Sequence, residues 1–275
     1  MGIEKFRFDG KRAVVVGGAS GMGAATAQLV GSLGAEVVVM DFAPVDFSVA
    51  KAISLDLRDR ESIDAALDDC GGPIDALFMC AGVADGPAGG LSLMQVNFIG
   101  QRHLIERAVE ADLLPRGAAI AMISSAAGVG WLLALDAIVE FLETADFESA
   151  TKWIEENAGR AHYMFSKQAI NAYVARQAFP LLKRGIRINA TQPGPTDTPL
   201  ARANADLWLT FASDYREQAG IETSTAEEQA NLLVFLCSEA ASQVNGVSLV
   251  SDAGYLSSAL VDTFEAPMAK MMLGR

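Results

Sequence analysis

The run RAVVVGGASGMG, residues 12–23, limits the fold more than any other part of the chain. Residues 12–17 are short, β-branched and closed by glycine, as expected of a strand buried on both faces. Gly17, Gly21 and Gly23 follow at G-x-x-x-G-x-G spacing, and residues 22–34 read as a helix ending at Gly34. A strand entering a helix through such a turn is the first half of a β-α-β unit. The turn needs glycine dihedrals, and a pyrophosphate can approach closely only where side chains are absent. The helix N-terminus then offers free N–H groups and a positive dipole end. Glycine-rich turns also occur without a ligand, so the strand-turn-helix setting carries the weight.

The pattern repeats. Apolar runs of strand length lie at 36–41, 52–55, 74–80, 118–124, 186–191 and 247–251. Helical segments separate them: one opening near Asp59, one over roughly 91–113, a long one from near 161, and others around 199–218 and 225–240. This alternation predicts a doubly wound α/β sheet of about seven parallel strands with right-handed crossovers. No repeat, low-complexity tract or linker divides the chain, which predicts one domain over 1–275, with 252–275 as a C-terminal tail.

Residues 131–159 exceed that plan. Leu132, Leu135, Ile138, Val139 and Leu142 keep helical spacing, and so do Phe147, Ala150, Trp153 and Ile154. With Asp146 as N-cap and Gly159 as stop, two short helices are expected as an insertion between strand five and the long helix. Their spacing leaves open whether they form a lid, an interface or both. The Met-rich end APMAKMMLGR is equally open: cover for a pocket, contact with a partner, core filling or disorder.

Composition removes several function classes. Hydrophobic residues make up 51% and charged residues 20% of 275 positions, which is globular. A net charge of −13 opposes binding to nucleic acid or to an anionic membrane surface. No 18 apolar residues run together, and no apolar segment precedes the first strand, so neither a membrane span nor a secretory signal is expected. Three unclustered cysteines fit a reduced, cytoplasmic setting, and two histidines without ligand spacing predict no metal site.

Asp41 ends the second strand, eighteen residues after Gly23. A carboxylate there can accept both hydroxyls of an adenosine ribose and would repel a 2′-phosphate. Phe42 follows it rather than Arg or Lys, which favours NAD over NADP. Asp56 is placed to accept from an adenine amino group, or it simply caps a helix.

Tyr163 and Lys167 are four residues apart on the long helix, hence on one face. Four tyrosines and seven lysines would give such a pair by chance about 0.1 times, so it is informative. A phenol with an ordinary pKa near 10 becomes an acid/base at neutral pH only if positive charge stabilises its anion. Ser124 and Ser125 end strand five, where strand C-termini face the ligand crevice; a serine there orients a substrate oxygen or caps backbone groups.

Together GGASGMG, CAG (80–82), VNFIG (96–100), ISSAAG (123–128), YMFSK (163–167) and PGPTDTPL (193–200) resemble the short-chain dehydrogenases/reductases over nearly the whole chain. The resemblance implies a single Rossmann-type domain and an NAD-dependent exchange of hydride with a secondary alcohol or ketone. It implies Tyr163 as acid/base, Lys167 lowering its pKa and holding the nicotinamide ribose, Ser125 on the substrate oxygen and Asn97 anchoring a water. It extends the cofactor-binding set to Ser20, Met22, Leu57, Cys80, Ala81 and Gly82. Pro193 and Gly194 would border the nicotinamide, with Thr196 and Thr198 near its carboxamide. A homodimer or homotetramer is usual in the family.

Three departures stand out. Val16 replaces a usual threonine, Cys80 replaces a usual asparagine, and Ser125 and Tyr163 lie 38 residues apart, more widely than in most members. The insertion is similar to that of the bacterial 3α-hydroxysteroid dehydrogenase/carbonyl reductase group, which implies a small apolar alcohol or ketone, such as a hydroxysteroid or another ring carbonyl. A non-catalytic NAD-binding regulator on the same fold is disfavoured because Asn97, Ser125, Tyr163 and Lys167 are all present. A methyltransferase leaves the Tyr/Lys pair unexplained, and a nucleotide-sugar epimerase would use another glycine spacing.

Overall fold

The computed structural model describes residues 2–86 and 89–275. β1 (Arg12–Val16) passes through the glycine turn into α1 (Gly21–Ser32), and β2 (Glu36–Asp41), β3 (Lys51–Ser54) and α2 (Arg60–Cys70) follow. β4 (Ala76–Met79) leads to α3 (Gly90–Met94), a π-helical turn (Gln95–Ile99) and α4 (Gly100–Glu110). Next come β5 (Ala119–Ile123), α5 (Leu135–Leu142), α6 (Phe147–Glu156), α7 (Tyr163–Lys183) and β6 (Arg187–Pro193). The last part holds β7 (Thr196–Asp197), α8 (Pro199–Arg202), α9 (Ala205–Trp208), α10 (Ser213–Ala219), β8 (Ser224–Thr225), α11 (Ala226–Cys237), β9 (Ser248–Ser251), α12 (Tyr255–Leu260) and α13 (Pro267–Met272).

Seven strands pair in parallel, as the sequence predicts, and the structure orders them β3-β2-β1-β4-β5-β6-β9. Both faces are covered, which is why the strands are continuous apolar runs. Val14 and Val16 point into a core shared with Ile63, Leu104 and Ile170, on the side of α2, α4 and α7. Ala13 and Val15 point the other way, toward Ala27, Val30 and Leu233 of α1 and α11. The chain winds outward in both directions from β1 and β4, so their C-terminal ends flank the crevice where such sheets bind ligands.

The insertion is part of the main core. Ile138, Phe141 and Ile154 are buried, and the Phe141 ring lies 5.4 Å from Phe98, 5.0 Å from Trp153 and 5.8 Å from Phe165. Asp146 caps α6 reciprocally: its Oδ1 accepts from the Ser149 N–H at 2.8 Å, and Ser149 Oγ accepts from the Asp146 N–H at 3.0 Å. The helices therefore roof α7 and the π-helical turn.

Two helices differ from expectation. The segment 91–113 carries a π-helical turn holding Asn97. The segment 199–218 is three short helices, with Ala212 in the left-handed region at φ 56°. Arg216 accounts for that break: it donates to the Leu209 carbonyl at 2.6 Å and the Phe211 carbonyl at 2.7 Å, satisfying groups a continuous helix would pair.

The tail folds back on its own chain. Ala266 and Ala269 are buried with Tyr255 and Leu256 against Ala126, beside Phe211 and Phe264, while Met268 and Met271 stay exposed. Among the described residues no helix is long and apolar enough to cross a membrane, and no group of three or more His, Cys, Asp or Glu side chains could hold a metal ion.

Candidate active site

A cleft of about 390 Å³ opens where β1, β2 and β4 end. Ser20, Gly21, Met22 and Gly23 line it at the N-terminus of α1, beside Asp41, Phe42, Asp56, Leu57, Cys80, Ala81, Gly82 and Thr198. Gly17 sits at φ +78°, and a Cβ there would fall 2.4 Å from the Ala81 Cα, so the turn must press bare backbone on the segment after β4. A Cβ on Gly23 would meet the Gly17 carbonyl oxygen at 2.0 Å. Ser20 caps α1 without a side-chain hydrogen bond. That helix start, facing a cleft without side chains in the way, fits a dinucleotide pyrophosphate.

Asp41 is fixed at the wall: Oδ2 accepts from the Ala19 N–H and Oδ1 from the Ala43 N–H, each at 2.8 Å. Asp56 lines the same end, but Arg58 occupies its oxygens at 2.9 and 2.6 Å. The expected bond to an adenine amino group thus meets a carboxylate already engaged within the chain. Cys80 continues the ladder with its N–H on the Val16 carbonyl at 2.8 Å. Burial pushes its thiol up to about 12, against the pull of a Thr26 hydrogen bond and the Lys167 charge, so it contributes no thiolate.

The residues expected near the nicotinamide divide. Thr198 lines the cleft and caps α8, its Oγ1 accepting from the Ala201 N–H at 3.1 Å. Thr196 is turned into the protein, donating to the Gly194 carbonyl at 3.0 Å and sharing a hydrogen bond with Ser224 at 3.0 Å. Pro193 ends β6 and Gly194 follows it, its N–H donating to Ser251 O at 3.1 Å.

Tyr163 and Lys167 share the first turns of α7, which starts at Tyr163 because His162 caps it, Nδ1 accepting from the Phe165 N–H at 3.2 Å. Lys167 Nζ lies 5.4 Å from the Tyr163 ring centroid and donates to the Ile123 carbonyl at 2.9 Å. Ser124 donates to the Lys167 carbonyl at 2.9 Å, and Ser125 Oγ accepts from the Ala127 N–H at 3.1 Å, so both serines take the capping role. Asn97 ties the site together: it exchanges hydrogen bonds with the Val83 backbone at 2.8 and 3.0 Å and donates to Ser166 Oγ at 3.2 Å.

Burial pushes the Tyr163 phenol up to about 12, with Ser125 pulling it down and Asp85 adding to the rise. Burial also lowers the Lys167 ammonium to about 8. In the chain alone the phenol is therefore a held proton rather than a ready base. Lowering it takes positive charge beyond that of Lys167, which a bound nicotinium ring would add.

Three contacts escaped the sequence reading. Trp208 of α9 lies 4.9 Å from the Tyr163 ring, roofing the phenol. Asp85 accepts from the Tyr163 backbone N–H at 3.0 Å, holding the start of α7. Arg58 lines the cleft beside Asp41, Phe42 and Asp56. Only Arg58, two residues after Asp56, carried a local signal.

The "short chain dehydrogenase" family model matches residues 11–134, and the "Enoyl-(Acyl carrier protein) reductase" model of the same group matches 146–256. The chain is 33% identical to a cis-4-hydroxycyclohexanecarboxylate dehydrogenase of Sinomonas cyclohexanicum, covering 88% of this chain and 95% of that one. It is 30% identical to a coniferyl-alcohol dehydrogenase of Pseudomonas sp. (strain HR199 / DSM 7063), covering 90% and 97%. A crystal structure of the 3-alpha-hydroxysteroid dehydrogenase of Pseudomonas sp. B-0831 complexed with NADH superposes with a TM-score of 0.73 at 28% identity, covering 93% of this chain and all of that one. With its glycine turn, parallel sheet and Tyr/Lys helix, the chain belongs to the short-chain dehydrogenases/reductases, oxidoreductases that use nicotinamide cofactors.

Proposed function

We propose that this chain is an NAD-dependent dehydrogenase/reductase of small apolar ring alcohols and ketones, with Asn97, Ser125, Tyr163 and Lys167 as its catalytic residues. The observation that carries the reading is the Tyr163 ring, its centre 5.4 Å from Lys167 Nζ on the next helical turn, with Ser125 just after β5 acting to lower the phenol's pKa. Asp41, fixed at the end of β2, supports NAD over NADP by accepting ribose hydroxyls. The ring-alcohol class is supported by the roof of Trp208 over Tyr163 and by the relatives named for a hydroxycyclohexanecarboxylate and a hydroxysteroid.

A nicotinamide dinucleotide bound in the cleft supplies the hydride acceptor or donor. The chain supplies the proton. On oxidation, Tyr163 Oη takes the proton of the alcohol hydroxyl; on reduction it returns one to the carbonyl oxygen. Ser125 Oγ donates to that oxygen and holds it beside the phenol. The Lys167 charge favours the phenolate, and Asn97 braces the segment after β4 against α7.

The test is reduction of NAD and of NADP at 340 nm with a panel of cyclic secondary alcohols. NAD is expected to react and NADP to lag; faster reduction of NADP at equal concentration would overturn the cofactor assignment.

The pH dependence follows from Lys167, whose burial lowers it to about 8. It is charged below that value and neutral above it. The kcat/KM for ketone reduction, which leaves a phenolate, should therefore fall as pH rises through about 8, with a limiting slope of −1 in its logarithm. A flat profile from pH 7 to about 9.5 would remove Lys167 from this role. Trp208→Ala should raise KM for ring substrates about ten-fold and leave kcat within about two-fold, because an aromatic roof binds without joining the chemistry. An unchanged KM would show that the indole does not contact substrate.

The reading includes one domain and a homodimer or homotetramer, supported by large apolar side chains left exposed, among them Leu132, Leu133, Leu207 and Met271.

A further inference from the structure

Arg58 is the one cation among the described residues that line the cleft. It sits at the end formed by β2 and β3, with Asp41, Phe42 and Asp56. Its Nε and Nη2 donate to the two Asp56 oxygens at 2.9 and 2.6 Å, a fork-on-fork pair. The pairing raises the Arg58 pKa and lowers that of Asp56, so both stay charged and joined at neutral pH. The guanidinium lies 5.4 Å from the centre of the Phe42 ring, which is 72% exposed.

An arginine at the adenosine end of a dinucleotide cleft has two uses. It can bind a 2′-phosphate with its charge, or it can offer its flat face to a base. Here Asp56 neutralises the charge and fixes the plane against Phe42. Reaching a phosphate would mean giving up two charge-assisted hydrogen bonds, and Asp41 would repel the same phosphate.

We propose that the Asp56–Arg58 pair sets cofactor choice: it holds Arg58 flat as a wall of the adenine subsite and keeps its charge from a 2′-phosphate. This rests on the NAD reading above. It makes Asp56 a positioning residue that acts through Arg58, and it makes the arginine, which would otherwise suggest NADP, a contributor to NAD binding.

The test is a set of fluorescence titrations of the full chain with NADH, NADPH, ADP-ribose and reduced nicotinamide mononucleotide. Asp56→Asn frees the guanidinium and should improve NADPH affinity about ten-fold, while NADH, losing the fixed wall, weakens by up to about five-fold. The double variant Asp56→Asn/Arg58→Ala should lose that gain. Arg58→Ala alone should weaken NADH and ADP-ribose about five-fold each and leave the mononucleotide unchanged; Arg58→Lys, which keeps charge but lacks the planar fork, should behave like Arg58→Ala. An unmoved NADH/NADPH ratio in Asp56→Asn, or an Arg58→Ala that weakens NADPH alone, overturns the proposal. If the unmodified chain itself prefers NADPH, the NAD reading falls first; if it prefers NADH and Asp56→Asn changes nothing, only the Asp56–Arg58 proposal falls.

Discussion

Replacing Tyr163 with phenylalanine should lower kcat/KM by about 10³-fold or more and leave NADH affinity within about two-fold. The substitution keeps the ring that packs under Trp208 at 4.9 Å and beside Lys167 at 5.4 Å. It removes only the Oη, and with it the proton that must move between chain and substrate oxygen. The glycine turn and Asp41 lie on other elements and keep their geometry, so cofactor binding is the internal control. Retained turnover would place the acid/base elsewhere. Loss of NADH binding together with turnover would mean that the phenol supports the cofactor rather than the proton transfer.

Phe141→Ala should destabilise the chain by about 3–5 kcal/mol. The side chain has no exposure and sits among Phe98, Trp153 and Phe165, so truncation leaves a cavity between insertion, π-helical turn and α7. A domain's net stability is typically about 5–15 kcal/mol, so a loss of this size is a large part of the whole. Urea unfolding followed by circular dichroism checks it: the midpoint should fall with the slope unchanged. A change under about 1 kcal/mol would mean that 131–159 is a cover detachable from the core.

The sheet was legible because a doubly covered parallel strand needs apolar side chains on both faces. β1 and β2 are therefore uninterrupted runs of valine and its neighbours. The insertion was legible from helical spacing and from Asp146, whose capping contacts are local. Tyr163 and Lys167 were legible because four residues on a helix fix a shared face. The rest depended on contacts distant in sequence. The π-helical turn shifts backbone bonds around Asn97, and no residue type requires it. The break at Ala212 depends on a guanidinium folding back onto two carbonyls. Asp56 read alone was free to meet adenine; its engagement by Arg58, and the placing of Phe42 beneath that arginine, are side-chain choices made in three dimensions. Trp208 reaches Tyr163 only after β6 and two short helices bring the chain back over the site.

On the proposed mechanism, hydride passes between nicotinamide and a carbinol carbon while Tyr163 moves the proton. Incubation with NADH deuterated at C4 of the nicotinamide and the best-reacting cyclic ketone follows the hydride itself. Mass spectrometry of the alcohol should find one deuterium per molecule on the carbinol carbon with one of the two C4 epimers, and none with Tyr163→Phe. Oxidation of NADH without deuterium in the alcohol from either epimer, or full labelling by Tyr163→Phe, would contradict it.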